Sequence, residues 1–369
     1  MYDKIRVVIS GGGTGGHIFP AIAIANAIKE IVPEADIRFV GAVGRMEMKR
    51  VPDAGYEIVG LPICGFDRKN MLKNVYVLWK AFVSIVKARK FVKSFSPHVA
   101  VGVGGYASGP LLWAASSMGV PCIIQEQNSY AGVTNKLLSK KVQKICVAYE
   151  GMERFFPKEK IMMTGNPVRD NVVRCQIDKA EACRRLGLDP DKKTILLVGG
   201  SLGARTINES VLNHLDIVKE SGVQFVWQTG KYYSASIKET LKGRDDLPML
   251  KVTDFISDIG EAYKASDLVI SRAGASSISE FCLIGKPVIL VPSPNVAEDH
   301  QTKNAMALSD KGAAILVKDS EAVDCLLATA VKLVNDEKQL EKLSRNVSSM
   351  AFKDSALKIA EEVIKTIRK

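Results

Sequence analysis

Seven cysteines stand in the 369 residues and none is spaced as Cys-x-x-Cys, so no zinc site or redox pair is readable. Most sit in apolar runs, which points to buried thiols in a reducing compartment. No apolar run reaches 18 residues, which argues against a transmembrane helix. The amino terminus passes within ten residues into an apolar strand and a glycine loop, and so reads as lacking a signal peptide. No Asp-x-Asp metal motif stands out, and metal-independent chemistry without a cofactor is expected. Acidic residues are missing from one long window, Arg68 to Lys93, which holds Arg68, Lys69, Lys73, Lys80, Lys87, Arg89, Lys90 and Lys93.

That window explains much of the net charge of +11. Residues 1–166 carry 22 Lys+Arg against 12 Asp+Glu, and the rest carry 29 against 28, so nearly the whole excess belongs to the first half. Met71, Leu72, Tyr76, Leu78, Trp79, Phe82 and Ile85 are interleaved with the basic residues at helical spacing. Such a segment suits an anionic membrane surface. The other reading is an amphipathic helix with a core-facing stripe and solvated charges. No nucleic-acid-binding module accompanies the charge, so no nucleic-acid partner is expected.

What the chain has in abundance is glycine at the ends of apolar strands. Residues Lys4 to Ser10 read as a strand and run into Gly11-Gly12-Gly13-Thr14-Gly15-Gly16-His17 ahead of a helix. A second loop, Gly104-Gly105-Tyr106-Ala107-Ser108-Gly109, follows Val99 to Val103, and a third, Gly199-Gly200-Ser201-Leu202-Gly203-Ala204-Arg205, follows Thr194 to Val198. Glycine lets backbone approach a phosphate closely, and the amides and dipole of the following helix favour negative charge. The first loop also fits Gly-x-Gly-x-x-Gly, but a dinucleotide site calls for an acidic residue ending the second strand. That strand ends in Gly41-Ala42. His17, directly after the last glycine, is placed to face a ligand; capping or solvation is its plainer role.

Strand and helix alternate through both halves, which predicts an α/β chain of two doubly wound, Rossmann-like domains. Strands are expected near 5–10, 37–41, 99–103, 121–125 and 143–147, with helices near 18–31, 74–94, 108–118 and 131–140. After Gly165-Asn166-Pro167 the pattern restarts, with strands near 194–198, 223–228, 250–254, 267–271, 287–291 and 314–317. Helices there are expected near 205–220, 258–265, 275–284, 299–311 and 321–334. The domains are bounded at 1–166 and 167–351, and the helical tail 352–369 is expected to pack back on the first. Ligands bind outside the carboxyl ends of such strands, and the two sets of ends can face one another across a cleft.

Chemistry concentrates in Asp267 to Glu280, where a strand, a small-residue loop (Arg272-Ala273-Gly274) and a helix start at Ala275 follow in order. Ala275, Ser276, Ser277, Ile278 and Ser279 offer first-turn amides to an anion, and Glu280 can accept both hydroxyls of a ribose. An ordinary first-turn glutamate held by the helix dipole is the alternative for Glu280. Glu126-Gln127-Asn128 adds polar groups after the fourth strand, and Glu298 to Ala305 supplies amide and imidazole groups suited to sugar hydroxyls.

Together, in this order and over nearly the whole chain, these segments resemble the MurG family of N-acetylglucosaminyltransferases. The resemblance rests on the three glycine loops, Glu126-Gln127-Asn128, Gly165 to Arg169, Arg272 to Ala275 and His300-Gln301. It implies a GT-B fold and inverting transfer of GlcNAc from UDP-GlcNAc to undecaprenyl-diphospho-MurNAc-pentapeptide, at the cytoplasmic face of the bacterial inner membrane. Thr14, Gly15, Gly16, Asn128, Arg169, Ser201, Ile256, Ala275 to Glu280 and Gln301 are the implied UDP-GlcNAc contacts. Gly13, Gly104, Gly105 and Tyr106 are expected to hold the acceptor diphosphate. His17 is the first candidate for the general base and Glu126 the second. Many relatives carry histidine where this chain has Gln125, so no base at 125 is essential here, and His300 stands where some carry arginine. A UDP-GlcNAc 2-epimerase, another GT-B glycolipid glycosyltransferase and a non-catalytic nucleotide-binding scaffold remain as rival readings.

Overall fold

The computed structural model describes residues 4–65 and 71–367, without the side chains of 71–74, 170 and 297. It divides into two compact units, residues 1–169 with 352–369 and residues 170–351. The first unit holds β1 (Arg6–Gly11), α1 (Gly15–Ile31), β2 (Asp36–Ala42), α2 (Glu47–Asp53), β3 (Glu57–Leu61), α3 (Met71–Phe95), β4 (Val99–Gly104), α4 (Ser108–Ser117), β5 (Cys122–Glu126), α5 (Val133–Leu138), β6 (Lys144–Val147) and β7 (Ile161–Met163). All pairings are parallel, in the order β3-β2-β1-β4-β5-β6-β7. The order reverses between β1 and β4, so the first two glycine loops leave the sheet side by side at the place where such folds bind ligands.

The second unit repeats the plan with α6 (Asp170–Val173), α7 (Lys179–Leu186), β8 (Thr194–Val198), α8 (Arg205–Leu212), α9 (Leu215–Glu220), β9 (Gln224–Gln228), α10 (Ser234–Thr240), β10 (Leu250–Thr253), α11 (Ile259–Ala265), β11 (Leu268–Ser271), α12 (Ala275–Ile284), β12 (Val288–Leu290), α13 (His300–Ser309), β13 (Ile315–Leu316), α14 (Asp319–Val334) and α15 (Glu337–Ser349). Its parallel sheet runs β10-β9-β8-β11-β12-β13. The reversal falls between β8 and β11, beside the third glycine loop and Arg272 to Gly274. The last helix, α16 (Ser355–Ile367), belongs to the first unit.

Central strands buried on both faces explain the continuous apolar runs. Val7 and Ile9 face a cluster with Ile24 and Ile28 of α1 and Ile359 and Val363 of α16, while Val8 faces Leu111 and Leu112 of α4. In the second unit, Phe225, Trp227 and Ile270 pack with Leu326 and Leu343. The Trp227 indole N–H donates to Asn208 Oδ1 at 2.9 Å, and Asn208 Nδ2 donates to the Thr229 carbonyl at 2.9 Å, so the polar atoms of these two buried side chains are paired. All seven cysteines are free, and burial pushes the Cys122, Cys146 and Cys282 thiols up to about 12.

The helix expected over 205–220 is two helices, because His214 leaves the helical region (φ −133°, ψ 44°) and restarts the chain. Helices α2, α6, α7, α10 and α15 and strands β3 and β7 have no counterpart in the sequence reading. Each is short or heavily charged, so its apolar period is faint. Asp189-Pro190-Asp191 does satisfy the Asp-x-Asp spacing formally. It is a turn ahead of β8, with Asp189 Oδ1 accepting the Asp191 amide at 3.0 Å.

Helix α3 shows two apolar faces. Val77, Ala88, Val92 and Phe95 are buried, whereas Trp79 is 59% and Phe82 65% exposed, along with Val75, Tyr76 and Leu78. Tyr76 stacks on Trp79 at 6.1 Å, and Lys80 Nζ lies 4.6 Å from the Tyr76 ring centre. The stripe at Tyr76, Leu78, Trp79 and Phe82 is therefore surface, and the core-facing reading of it is corrected. Arg68 and Lys69 lie outside the described residues, as do the side chains of Met71, Leu72 and Lys73. Among the described residues no helix is long and apolar enough to cross a membrane.

Because α16 completes the core beside α1, Ile359→Ala should destabilise the first unit by about 2–5 kcal/mol, the usual result of emptying a fully buried aliphatic site. Urea unfolding followed by circular dichroism measures this as a lower midpoint.

Candidate active site

In the first unit, the site is built from backbone pressed against backbone. A register shift between Ser10 and Gly11 brings Gly11 opposite Gly104. Gly105 (φ +86°) lies so close to the first loop that a side chain there would overlap the Gly12 carbonyl. Gly104 (φ +103°) backs the His17 ring, where a Cβ would stand 2.8 Å from Nε2. The Thr14 side chain makes no capping bond to a first-turn amide of α1, and no acidic residue occupies that turn. The positive end of this helix is thus left to the loop itself.

His17 Nδ1 lies 3.1 Å from the Gly12 carbonyl oxygen and 3.3 Å from Thr14 Oγ1. A carbonyl only accepts, so this contact assigns the proton to Nδ1 and makes Nε2 the basic nitrogen. Arg169 is carried to the same neighbourhood: its guanidinium lies 5.7 Å from the ring centre of Phe19, which packs beside Gly15. Tyr106 is exposed, with the Arg45 guanidinium 5.8 Å from its ring centre.

Glu126 is buried and saturated. Its oxygens accept from the Asn128 amide (3.1 Å), the Gly132 amide (2.9 Å) and Asn135 Nδ2 (2.8 Å), which shapes the loop that presents Asn128. To act as a base it would have to abandon donors it already holds. Gln125 is likewise buried, donating to Asn166 Oδ1 at 2.8 Å, and Asn166 Nδ2 donates to the Gln127 carbonyl at 3.0 Å. An amide pair therefore links the β5 loop to Gly165-Asn166-Pro167.

Sequence reasoning missed Glu47. It is 1% exposed, accepts the Gly13 amide at 2.8 Å and the Ala42 amide at 3.0 Å, and fills the space left by Gly12 and Gly41. Thus a carboxylate does stand near the end of β2, but it is engaged with backbone. The Gly13 amide, expected to face a diphosphate, is engaged too. Gly13 (φ +85°) has open space where a Cβ would stand, so its backbone remains open to close approach.

In the second unit, Gly203 (φ +92°) and Gly230 (φ +80°) let the third loop abut the end of β9. Gln228 Nε2 donates to the Gly200 carbonyl at 2.8 Å and to the Asp254 carbonyl at 3.1 Å, holding the loop that presents Ser201 and the segment carrying Ile256. Ser201 is exposed and Ile256 half-buried. Ala275 to Glu280 open α12, whose cap residue Gly274 is extended and whose first turn carries no acid. Arg272 donates to the Val291 and Pro292 carbonyls and pairs with Asp319, which also accepts from Thr206 Oγ1 at 3.0 Å. That network ties three strand ends together behind the α12 start. Glu280 is buried, its Oε2 accepting the Tyr263 hydroxyl at 3.0 Å. Gln301 Oε1 accepts the Ser293 amide at 2.9 Å.

Comparison with known proteins matches the Glycosyltransferase family 28 N-terminal domain to residues 7–147 and the family 28 C-terminal domain to residues 194–359. The UDP-N-acetylglucosamine--N-acetylmuramyl-(pentapeptide) pyrophosphoryl-undecaprenol N-acetylglucosamine transferase of Phocaeicola vulgatus is 64% identical, with 99% of this chain and 97% of that protein covered. This chain belongs to the MurG family of glycosyltransferases. Acinetobacter baumannii MurG is similar in structure, with a TM-score of 0.75 at 26% identity over 98% of this chain and 99% of that one. A Neisseria meningitidis UDP-GlcNAc 2-epimerase reaches 0.68 at 14% identity over 98% and 100%, a likeness of fold alone. Two Rossmann-like units in one chain make the MurG-family fold GT-B.

The loop contact gives a direct test. Gly105→Ala should lower stability by about 1–3 kcal/mol, since alanine is strained at positive φ and its Cβ would displace the Gly12 carbonyl. Thermal unfolding monitored by circular dichroism measures it.

Proposed function

We propose that this chain transfers GlcNAc from UDP-GlcNAc to the 4-hydroxyl of MurNAc in undecaprenyl-diphospho-MurNAc-pentapeptide, with inversion, on the cytoplasmic face of the inner membrane. The observation that carries the reading is 64% identity over 99% of the chain to a transferase named for this donor and acceptor. His17 is the base: Nε2 takes the proton of the 4-hydroxyl as its oxygen attacks the anomeric carbon, and UDP departs with the electron pair of the broken C–O bond. The α12 amides, the Ser201 loop and Arg169 take up the charge developing on UDP. Glu280, oriented by Tyr263, accepts the ribose hydroxyls, and Ile256 lies against uracil. Gln301, with its oxygen held by Ser293, presents its NH2 to sugar hydroxyls. Thr14, Gly15, Gly16 and Asn128 complete the donor contacts. Gly104, Gly105 and Tyr106, with the close approach allowed at Gly13, receive the acceptor diphosphate. Glu126 serves as the organiser of the Asn128 loop.

UDP release with UDP-GlcNAc and a short-chain lipid-linked MurNAc-peptide tests the reaction. Isomerisation of the sugar without acceptor would instead favour the epimerase. His17→Ala should lower kcat by about a hundredfold or more while the donor KM changes far less. Equal losses in binding and turnover would make His17 a binding residue.

The first unit is also the membrane-facing one in this reading. The exposed Tyr76, Leu78, Trp79 and Phe82 of α3, flanked by Lys80 and Lys87, combine apolar insertion with attraction to anionic lipid. Each cation near such a surface contributes about 1 kcal/mol, weakened by salt. Trp79→Ala with Phe82→Ala should reduce flotation with anionic vesicles at low and high salt, and Lys80→Glu with Lys87→Glu chiefly at low salt, with donor affinity unchanged in both. Parental flotation of both variants would move the membrane face elsewhere.

A further inference from the structure

Glu47 and His17 meet the two ends of one peptide group. Glu47 Oε2 accepts the Gly13 N–H at 2.8 Å, and the Gly12 carbonyl, the other half of that amide, accepts from His17 Nδ1 at 3.1 Å. We propose that Glu47 is a positioning residue for His17, acting through the Gly12–Gly13 peptide as a carboxylate–peptide–imidazole relay. The inference rests on the reading of His17 as the base.

The physics is that of a charge-assisted hydrogen bond passed along a polarisable group. A buried carboxylate drawing on the Gly13 N–H pushes electron density toward the Gly12 oxygen, which becomes a stronger acceptor for Nδ1–H. That holds the proton on Nδ1, keeps Nε2 as the acceptor for the substrate proton, and stabilises the imidazolium formed when Nε2 takes it. An orienting carboxylate does this by direct contact in a serine-protease triad. Here a peptide stands between, and both Glu47 oxygens end on backbone amides, those of Gly13 and Ala42. The geometry is tightly set: Gly12 and Gly41 lack side chains where Glu47 lies, Gly13 takes a positive φ where its amide meets the carboxylate, and Gly104 makes room for the imidazole. Five residues of one unit thus serve a single orientation of one ring.

Glu47→Gln tests it, because the carboxamide keeps the length, loses the charge and can accept from only one of the two amides. Long-range nitrogen-15 correlation spectra of the ring, at a pH where it is neutral, should show the Nδ1–H tautomer in the parent and a clear rise of the Nε2–H tautomer in the variant. kcat should fall about tenfold with donor KM within about twofold, and adding Glu47→Gln to His17→Ala should change kcat by less than about twofold. An unchanged tautomer, or the same loss of kcat with and without His17, overturns the relay. If His17→Ala turns over at the parental rate, the base assignment falls and the spectra alone judge the relay: an unchanged tautomer overturns it, a shifted one upholds it. Glu47→Asp, which keeps the charge but cannot span both amides, is the second variant should Glu47→Gln fail to fold, and it should shift the tautomer in the same direction.

Discussion

Direct contact between backbones at the carboxyl edge of each sheet is the constraint on which the site depends. In the first unit Gly105 rests on the Gly12 peptide, and in the second Gly230 rests on Gly203. Neither contact tolerates a Cβ. Each brings two loops from different strands close enough to act as one surface, and each leaves a helix start beside it, α1 in one unit and α8 in the other. The polar side chains around them, Glu47, Glu126, Gln228 and Arg272, then bond mainly to main-chain groups. They fix the shape of the loops that carry the glycines.

Much of this could be read from the chain because the contact demands glycine, and glycine at strand ends is visible in sequence. Parallel strands buried on both faces gave the apolar runs around Val7, Val101, Leu196 and Ile270. The start of α12 at Ala275 followed from the small residues before it. What was illegible has a common cause: it depends on side chains meeting across the fold. Nothing near Glu47 in sequence marks it as the support of the first glycine loop, since Gly12 and Gly13 lie more than thirty residues earlier. Glu126 reads as a candidate base until its hydrogen bonds are seen. Periodicity along α3 showed an amphipathic helix, but both of its faces are apolar, so the period could not say which face is buried: Val77 is buried and Trp79, on the opposite side, is exposed.

Departures of element from expectation also have local causes. Strand β3 alternates exposed and half-buried residues at a sheet edge, so its apolar signal is diluted. Helix α7 is held by its ends, with the Asp178 carboxylate accepting the Glu181 amide at 2.7 Å and Gly187 in the left-handed conformation, around a largely charged middle. Caps, more than apolar periodicity, define such helices.

The return of α16 to the first unit bears on how the protein is made. On the ribosome, residues 1–169 emerge before residues 355–367, so the apolar side of α1 that receives Ile359 and Val363 stays uncovered until α16 has emerged. At ~5–20 residues per second, synthesis of the intervening segment takes roughly ten to forty seconds. The second unit, complete in itself, can fold within that interval. Order of synthesis and order of completion are therefore reversed, and a nascent chain carries an exposed apolar face on its older half for the time its younger half needs to finish.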